Sequence, residues 1–477
     1  MSFASTAGIV ALTTLAVSYG WGMRGCKLGG EKGAMLPGAF LGLILAWFTG
    51  SEIIRENFWI ITAVGALGMF YGGTETYGQT LGFIVNKKPC ENYAKGMAGV
   101  LIKGALWFGI CAAFLGIGFT AMTGAYYKWY DFVIFFAVLA PLRLLGIRIF
   151  NKPLKPAEKK FPKIYFSVDR QEEWGGLLFM LIALIVMMAV RKDTYSLMFC
   201  GAGAFSGAVG WAIGINLFKI TCHPLNNGKS LLGSLQKKGY IGSWKIMEFT
   251  LGAVGGMGIA LYYCLNFAKL KELTAIIQAN GGIWNPLGKW AEPASWLAAA
   301  LLLTTSFQYL FNSKAKKNKL KAKKYEMTSK VLEILEQPFY SYIPLLLILF
   351  GGVNMAQIIT FFVMYWVIAE KDYFERFAET KARRLWFAVL IIGSAAILTG
   401  QILLKNGYSA WDTWLLYCVS YELTELCWMF RPEGIAEIKE RRKSAPNYLR
   451  VLSEPMVHAY FVLQIAVLII AGSLLFR

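Results

Sequence analysis

The sequence predicts an all-α fold: a polytopic integral membrane helical bundle of about twelve transmembrane helices plus a re-entrant helical hairpin. Three observations carry that expectation. Hydrophobic residues make up 56% of the 477, charged residues only 16%, and mean hydropathy is +0.49, too apolar for a soluble chain of this length. The apolar residues fall in runs of roughly the 20 that cross a hydrocarbon core as a helix. Of the 48 Lys and Arg, 36 lie in alternate loops and nine in the loops between those. Translocating basic loops is unfavourable, so this bias orients the chain with its basic loops in the cytoplasm of the cell membrane and both termini outside.

Taken in order, the spans are expected at 3–23, 33–49, 57–85, 96–124, 127–150, 173–190, 194–219, 243–265, 294–312, 384–404, 411–430 and 456–476. The first starts close to the initiator Met with no basic n-region and no small-residue cleavage site, so it reads as a retained span and not a signal peptide. The apolar stretch 339–368 is broken by Gly351-Gly352-Val353-Asn354, and both of its flanks are basic. A re-entrant hairpin keeps both flanks on the same side; a single helix, the alternative, would invert everything downstream. The most basic loop, Lys314–Lys330, carries eight Lys, and the longest cytoplasmic loop without a span is 151–172. Neither is long enough to bury a core, so 1–477 reads as one membrane domain. On the outer side, 266–293 is the one sizeable loop, with Trp284 and Trp290 expected at the headgroup level.

Short basic stretches recur before spans, at Asn92-Tyr93-Ala94-Lys95, Ser243-Trp244-Lys245, Ser329-Lys330 and Asn447-Tyr448-Leu449-Arg450. They point to repeat units at 1–172, 173–312 and 313–477, as in carriers built from repeated bundles.

Composition also excludes functions. A net charge of +20 could signal nucleic acid, but the basic residues sit in short loops between spans, where membrane orientation and anionic headgroups account for them. No nucleic acid is expected as a partner; membrane lipids are. The eight Cys show no paired ligand spacing, and two His exclude a multi-histidine metal site. No cofactor is expected.

Two constellations carry chemistry. Residues 19–38 hold seven Gly (20, 22, 25, 29, 30, 33 and 38) interleaved with Arg24, Lys27, Glu31 and Lys32. Gly20, Gly22 and Gly25 spell G-x-G-x-x-G, but a dinucleotide fold needs that motif between a strand and a helix. Here it joins two membrane helices. Glycine lets backbone approach a ligand closely, and a helix expected to begin near Gly33 offers free N–H groups. Arg24, Lys27, Gly29, Gly30 and Glu31 are therefore the candidate site for an anionic substrate.

The second constellation is polar groups inside spans, which are costly in hydrocarbon and point to function. They include Glu75, Gln79, Lys103, Arg143, Glu248, Glu422, Glu425 and His458. Glu75 shares a helix face with Gly78 and Gly82, and Lys103 with Gly96 and Gly99, so both are expected to point into protein and to approach each other. At about 1.5 Å per residue, Glu75 lies roughly 15 Å from the cytoplasmic end and Lys103, Arg143 and Glu422 roughly 10 to 12 Å. The outer half reads as almost purely apolar. The expected picture is a polar cavity near the cytoplasmic face, with Lys103 and Arg143 lining it and Glu75, Gln79, Glu422, Glu425 and His458 handling a coupling ion or proton. Gly203, Gly207, Gly210 and Gly214 form a seam best explained by helix packing.

The function expected is transport of a small polar, anionic substrate by a secondary carrier. The alternative is a membrane enzyme of glycosyl- or acyl-transferase type acting on a lipid-linked substrate at the inner leaflet, and a third reading is a non-catalytic component of a larger assembly.

Overall fold

The computed structural model describes residues 2–23, 30–75, 80–85, 92–155, 158, 160–167, 172–237 and 242–290. These are mostly helical. An isolated antiparallel bridge between Lys155 and Lys160 is the nearest approach to a strand among them. The expected spans at 294–312, 384–404, 411–430 and 456–476, and the hairpin at 339–368, lie outside the described residues.

The helices are, in order, α1 (Phe3–Met23), α2 (Gly30–Trp47), α3 (Glu52–Glu56) as a short connector, α4 (Phe58–Gly73), the short α5 (Gly82–Val85), α6 (Tyr93–Ala121), α7 (Trp129–Phe150), α8 (Trp174–Val190) and α9 (Thr194–Thr221). After them come α10 (Leu231–Lys237), α11 (Ser243–Leu265) and α12 (Phe267–Ala279). Four of these, α6, α7, α9 and α11, are long and apolar enough to cross a membrane, and parts of α2 and α4 and all of α8 are shorter apolar helices. This is the composition of a helical membrane protein.

Six helices close a ring by pairwise packing in the order α1, α2, α4, α6, α9, α11 and back to α1. Neighbours run antiparallel, and small residues set their spacing. A Cβ on Gly38 of α2 would strike the Gly65 carbonyl of α4, and one on Gly104 of α6 would strike the Gly207 carbonyl of α9. The α9 glycine seam is a packing seam with two partners: Gly203 and Gly207 face α6, whereas Gly210 and Gly214 face α11. Inside the ring, Trp21 stacks on Trp107 with ring centroids 4.9 Å apart, and Trp107 meets Trp211 edge-on at 4.9 Å. All three are buried. The α7–α8 hairpin is attached beside the ring through α8 on α6.

The boundaries differ from the sequence expectation in three informative places. The span expected over 57–85 ends at Gly73. Thr74 Oγ1 donates to the Tyr71 carbonyl at 2.9 Å, and Thr74 N–H and Glu75 N–H bond three residues back, tightening and ending the helix. The chain turns again at Thr80 and Leu81 into the four-residue α5. Glu75 thus sits at a helix break and not on a helix face. Helix α2 starts at Gly30 and not near Gly33, which places Gly30 and Glu31 in its first turn. The loop expected over 266–293 contains α12, whose Leu270, Leu273 and Ile277 are buried. The Trp284 backbone N–H donates to the Met122 carbonyl at 2.8 Å and its ring packs on Gly124, while Trp290 is exposed.

Candidate functional site

The joints that follow α1, α5, α7 and α9 all lie at one end of the bundle, here the basic end. Helix α6 enters from it with Asn92 as cap, its side chain accepting from Lys95 N–H at 2.9 Å. Gly96 admits Phe83 and Ile84 from α5, and Gly99 admits Phe166 from the loop before α8. Beneath these close approaches, Lys103 is wholly buried.

A buried ammonium needs oxygen partners, and the described contacts of Lys103 Nζ include three. It donates to Glu172 Oε1 at 2.8 Å and Thr80 Oγ1 at 2.8 Å, and lies 3.0 Å from Glu75 Oε1. The expected approach of Glu75 and Lys103 is therefore realised, through the break after α4. Each carboxylate is also held by backbone through its other oxygen. Glu172 Oε2 accepts from Phe166 N–H at 2.8 Å, and Glu75 Oε2 accepts from Glu173 N–H at 2.6 Å. Glu75 and Glu172 are 2% and 3% exposed, so the pair is sealed from solvent. Arg143 of α7 pairs with the Glu173 carboxylate at a partly exposed position. One hydrogen-bonded line thus runs from Arg143 through Glu173, Glu75 and Lys103 to Glu172.

Sequence reasoning missed Glu172, since an acid just before a span looks like an interfacial turn. A signal was present: a lysine buried in α6 requires a counter-charge, and the start of a neighbouring span is where one can reach it. Among the described residues, Lys103 Nζ is surrounded by oxygens.

Among the described residues, two further buried polar centres stand out. Lys245 of α11 donates to the Gly22 carbonyl of α1 at 2.7 Å and pairs with Glu248, one helical turn on, at 2.5 Å. This fixes the end of α1 from which the glycine-rich segment leaves. At the opposite end of the bundle, Asp193 caps α9 by accepting from Ser196 N–H at 3.0 Å. Its Oδ2 accepts from Thr120 Oγ1 at 2.6 Å, Tyr127 OH at 2.7 Å and Ser196 Oγ at 2.5 Å. That end is less purely apolar than the sequence implies.

Of the expected site residues, Glu75, Lys103 and Arg143 come together in one network, and Gly30 and the backbone of Glu31 open α2. Arg24, Lys27, Gly29, Gln79, Glu422, Glu425 and His458 lie outside the described residues. Cys222 Sγ donates to the Lys219 carbonyl at 3.0 Å. Among the described residues no group of three His, Cys, Asp or Glu side chains converges as metal ligands. Chemically, the Lys103 cluster can hold or exchange a proton and can couple the segments it joins. The chain matches no protein-family model, no curated protein and no solved structure.

Proposed function

We propose that this chain is a secondary carrier of a small polar, anionic substrate in the cell membrane, with Glu75, Lys103 and Glu172 as its ion-coupling centre. The observation that carries the reading is a pair of buried carboxylates on one ammonium, with Glu75 at a helix break. Carriers use such breaks because a discontinuous helix offers polar groups and a hinge at the same place. Both carboxylates belong to non-helical segments while Lys103 belongs to a long helix, so a change in their charge can move segments without unwinding α6.

The anionic substrate is assigned to the segment containing Arg24, Lys27, Gly29, Gly30 and Glu31. A planar guanidinium and the N-terminal N–H groups of α2 suit carboxylate or phosphate. The basic end faces the cytoplasm in this reading. A cysteine replacing Lys160 should then resist an impermeant thiol reagent added outside, and one replacing Asn280 should react, in a background lacking the native cysteines.

The test is uptake and counterflow in proteoliposomes across a panel of organic anions. Wild-type protein should move at least one of them, and Arg24→Lys and Gly30→Val should each lower that flux at unchanged insertion. Absence of flux for every anion, together with turnover of a lipid-linked donor, would replace the carrier with an inner-leaflet transferase.

A further inference from the structure

We infer that the connector between α9 and α11, residues 222–237, docks on an anionic phospholipid surface at the basic end, with Leu231 at the acyl boundary and Lys229 and Lys237 on headgroup phosphates. The connector is folded on itself. Its tight turn Leu225–Gly228 holds three successive left-handed residues, Asn226, Asn227 and Gly228, at φ +54°, +54° and +82°. Ser230 Oγ donates to the Leu225 carbonyl at 3.1 Å and accepts from Gly233 N–H at 3.0 Å. A Cβ on Gly233 would strike that same carbonyl, so α10 lies directly against the turn. Gln236 ties both to the end of α9: its Nε2 donates to the Thr221 carbonyl at 2.8 Å, and its Oε1 accepts from Leu225 N–H at 3.0 Å. The element is preorganised and packs chiefly on itself.

What it presents is apolar and basic. Leu231 is 81% exposed, and Lys229 and Lys237 are exposed on the same element. A Cβ on Gly228 would come within 2.9 Å of Lys237 Cδ, so the Lys237 stem lies beside the residue that precedes Lys229. The chain has no Asp or Glu between Asp193 and Glu248, so the connector brings no acid of its own to these lysines. Its neighbours set its level. On α9, Met198, Phe205, Ile213 and Ile220 are exposed at helical spacing, an apolar stripe that runs to the last turn, where the connector starts. Beside it, Tyr93 of α6 is half-exposed; its OH donates to Asn216 Oδ1 at 2.8 Å, and Lys219 Nζ lies 5.0 Å from its ring centroid. An exposed tyrosine beside a lysine at the end of a span belongs at the headgroup level. In water Leu231 would stay wet, whereas at the acyl boundary it is buried while the lysines reach phosphate, the arrangement of an interfacial anchor. This docking goes beyond the carrier reading and does not depend on which substrate is moved.

The experiment attaches a bimane fluorophore at Leu231→Cys in full-length protein lacking its native cysteines, reconstituted in bilayers of phosphatidylcholine and phosphatidylglycerol with brominated chains on one lipid or the other. Bromolipids should quench the label, aqueous iodide should not, and brominated phosphatidylglycerol should quench more strongly than brominated phosphatidylcholine. Each lysine should contribute about fivefold to that preference, the equivalent of about 1 kcal/mol. Lys229→Gln with Lys237→Gln should therefore remove most of it at unchanged insertion, and inorganic phosphate in the buffer should not. Quenching by iodide alone puts the connector in water, and quenching by neither agent puts it under protein; both overturn the inference. So do equal quenching by the two lipids, a preference unchanged in the double variant, and a preference abolished by inorganic phosphate. With the native cysteines retained, native mass spectra should show fewer phosphatidylglycerol molecules held by the Lys229→Gln, Lys237→Gln protein than by wild type. Equal numbers there overturn the inference even if the cysteine-free protein fails to fold.

Discussion

At the basic end, Glu75 and Glu172 share one ammonium, so charge is met by charge. At the opposite end, Asp193 is as deeply buried, yet its described contacts are three hydroxyls and a backbone N–H; the nearby Arg191 is paired with Asp131. The donors around Asp193 spread its charge and do not themselves titrate near neutral pH, so that end is a fixed clamp tying α9 to the last turn of α6 and, through Tyr127, to the approach to α7. The basic end joins two breaks in the helical framework through groups that can change charge.

The largest effect should come from removing the shared cation. Lys103→Met leaves two carboxylates facing each other in a sealed site and should cost about 3–5 kcal/mol of stability, read as a lowered denaturation midpoint in detergent. Removing the clamp should cost less. Asp193→Ala loses a helix cap and leaves hydroxyls without their acceptor, about 1–3 kcal/mol, and it should leave the Glu75–Lys103 coupling at the basic end in place. If that coupling disappears as well, the two ends are not independent. Gly207→Ala tests the frame between them: the added methyl strikes the Gly104 carbonyl and must part α6 from α9. A loss of about 1–3 kcal/mol with both ends weakened is expected. The smallest effect belongs to Gly124→Ala, where a left-handed backbone (φ +66°) packed on Trp284 concerns the clamped end only, about 1 kcal/mol by thermal unfolding.

Much of this frame was legible from hydropathy. The ends of α1, α7, α8 and α11 fall within a residue or two of the apolar runs, because a bilayer-length apolar segment bounded by polar loops has one low-energy conformation. The glycine seam of α9 was legible as packing for the same reason. The break after Gly73 was not, since apolar residues resume at Leu81 and a running average bridges the gap. That single miss put Glu75 on a helix face, although its partnership with Lys103 was anticipated. Helix α12 went unread despite Leu270, Leu273, Thr274 and Ile277 at helical spacing, because a loop was assumed between spans. Glu172 and Asp193 were invisible for a deeper reason: each lies in a loop by sequence and becomes buried only through contacts with residues far along the chain, Lys103 and Thr120.

The most direct measurement of whether the basic-end charges act as one unit is a double-mutant cycle on Glu75→Gln and Lys103→Met, followed by equilibrium unfolding in detergent. The 3.0 Å contact between them predicts that the double variant is destabilised by less than the sum of the singles, with a coupling of about 1–3 kcal/mol. Glu172 should keep that coupling below what an isolated pair would show, and adding Glu172→Gln to Lys103→Met should recover stability in the same sense. Strictly additive losses, at both Glu75 and Glu172, would contradict the account.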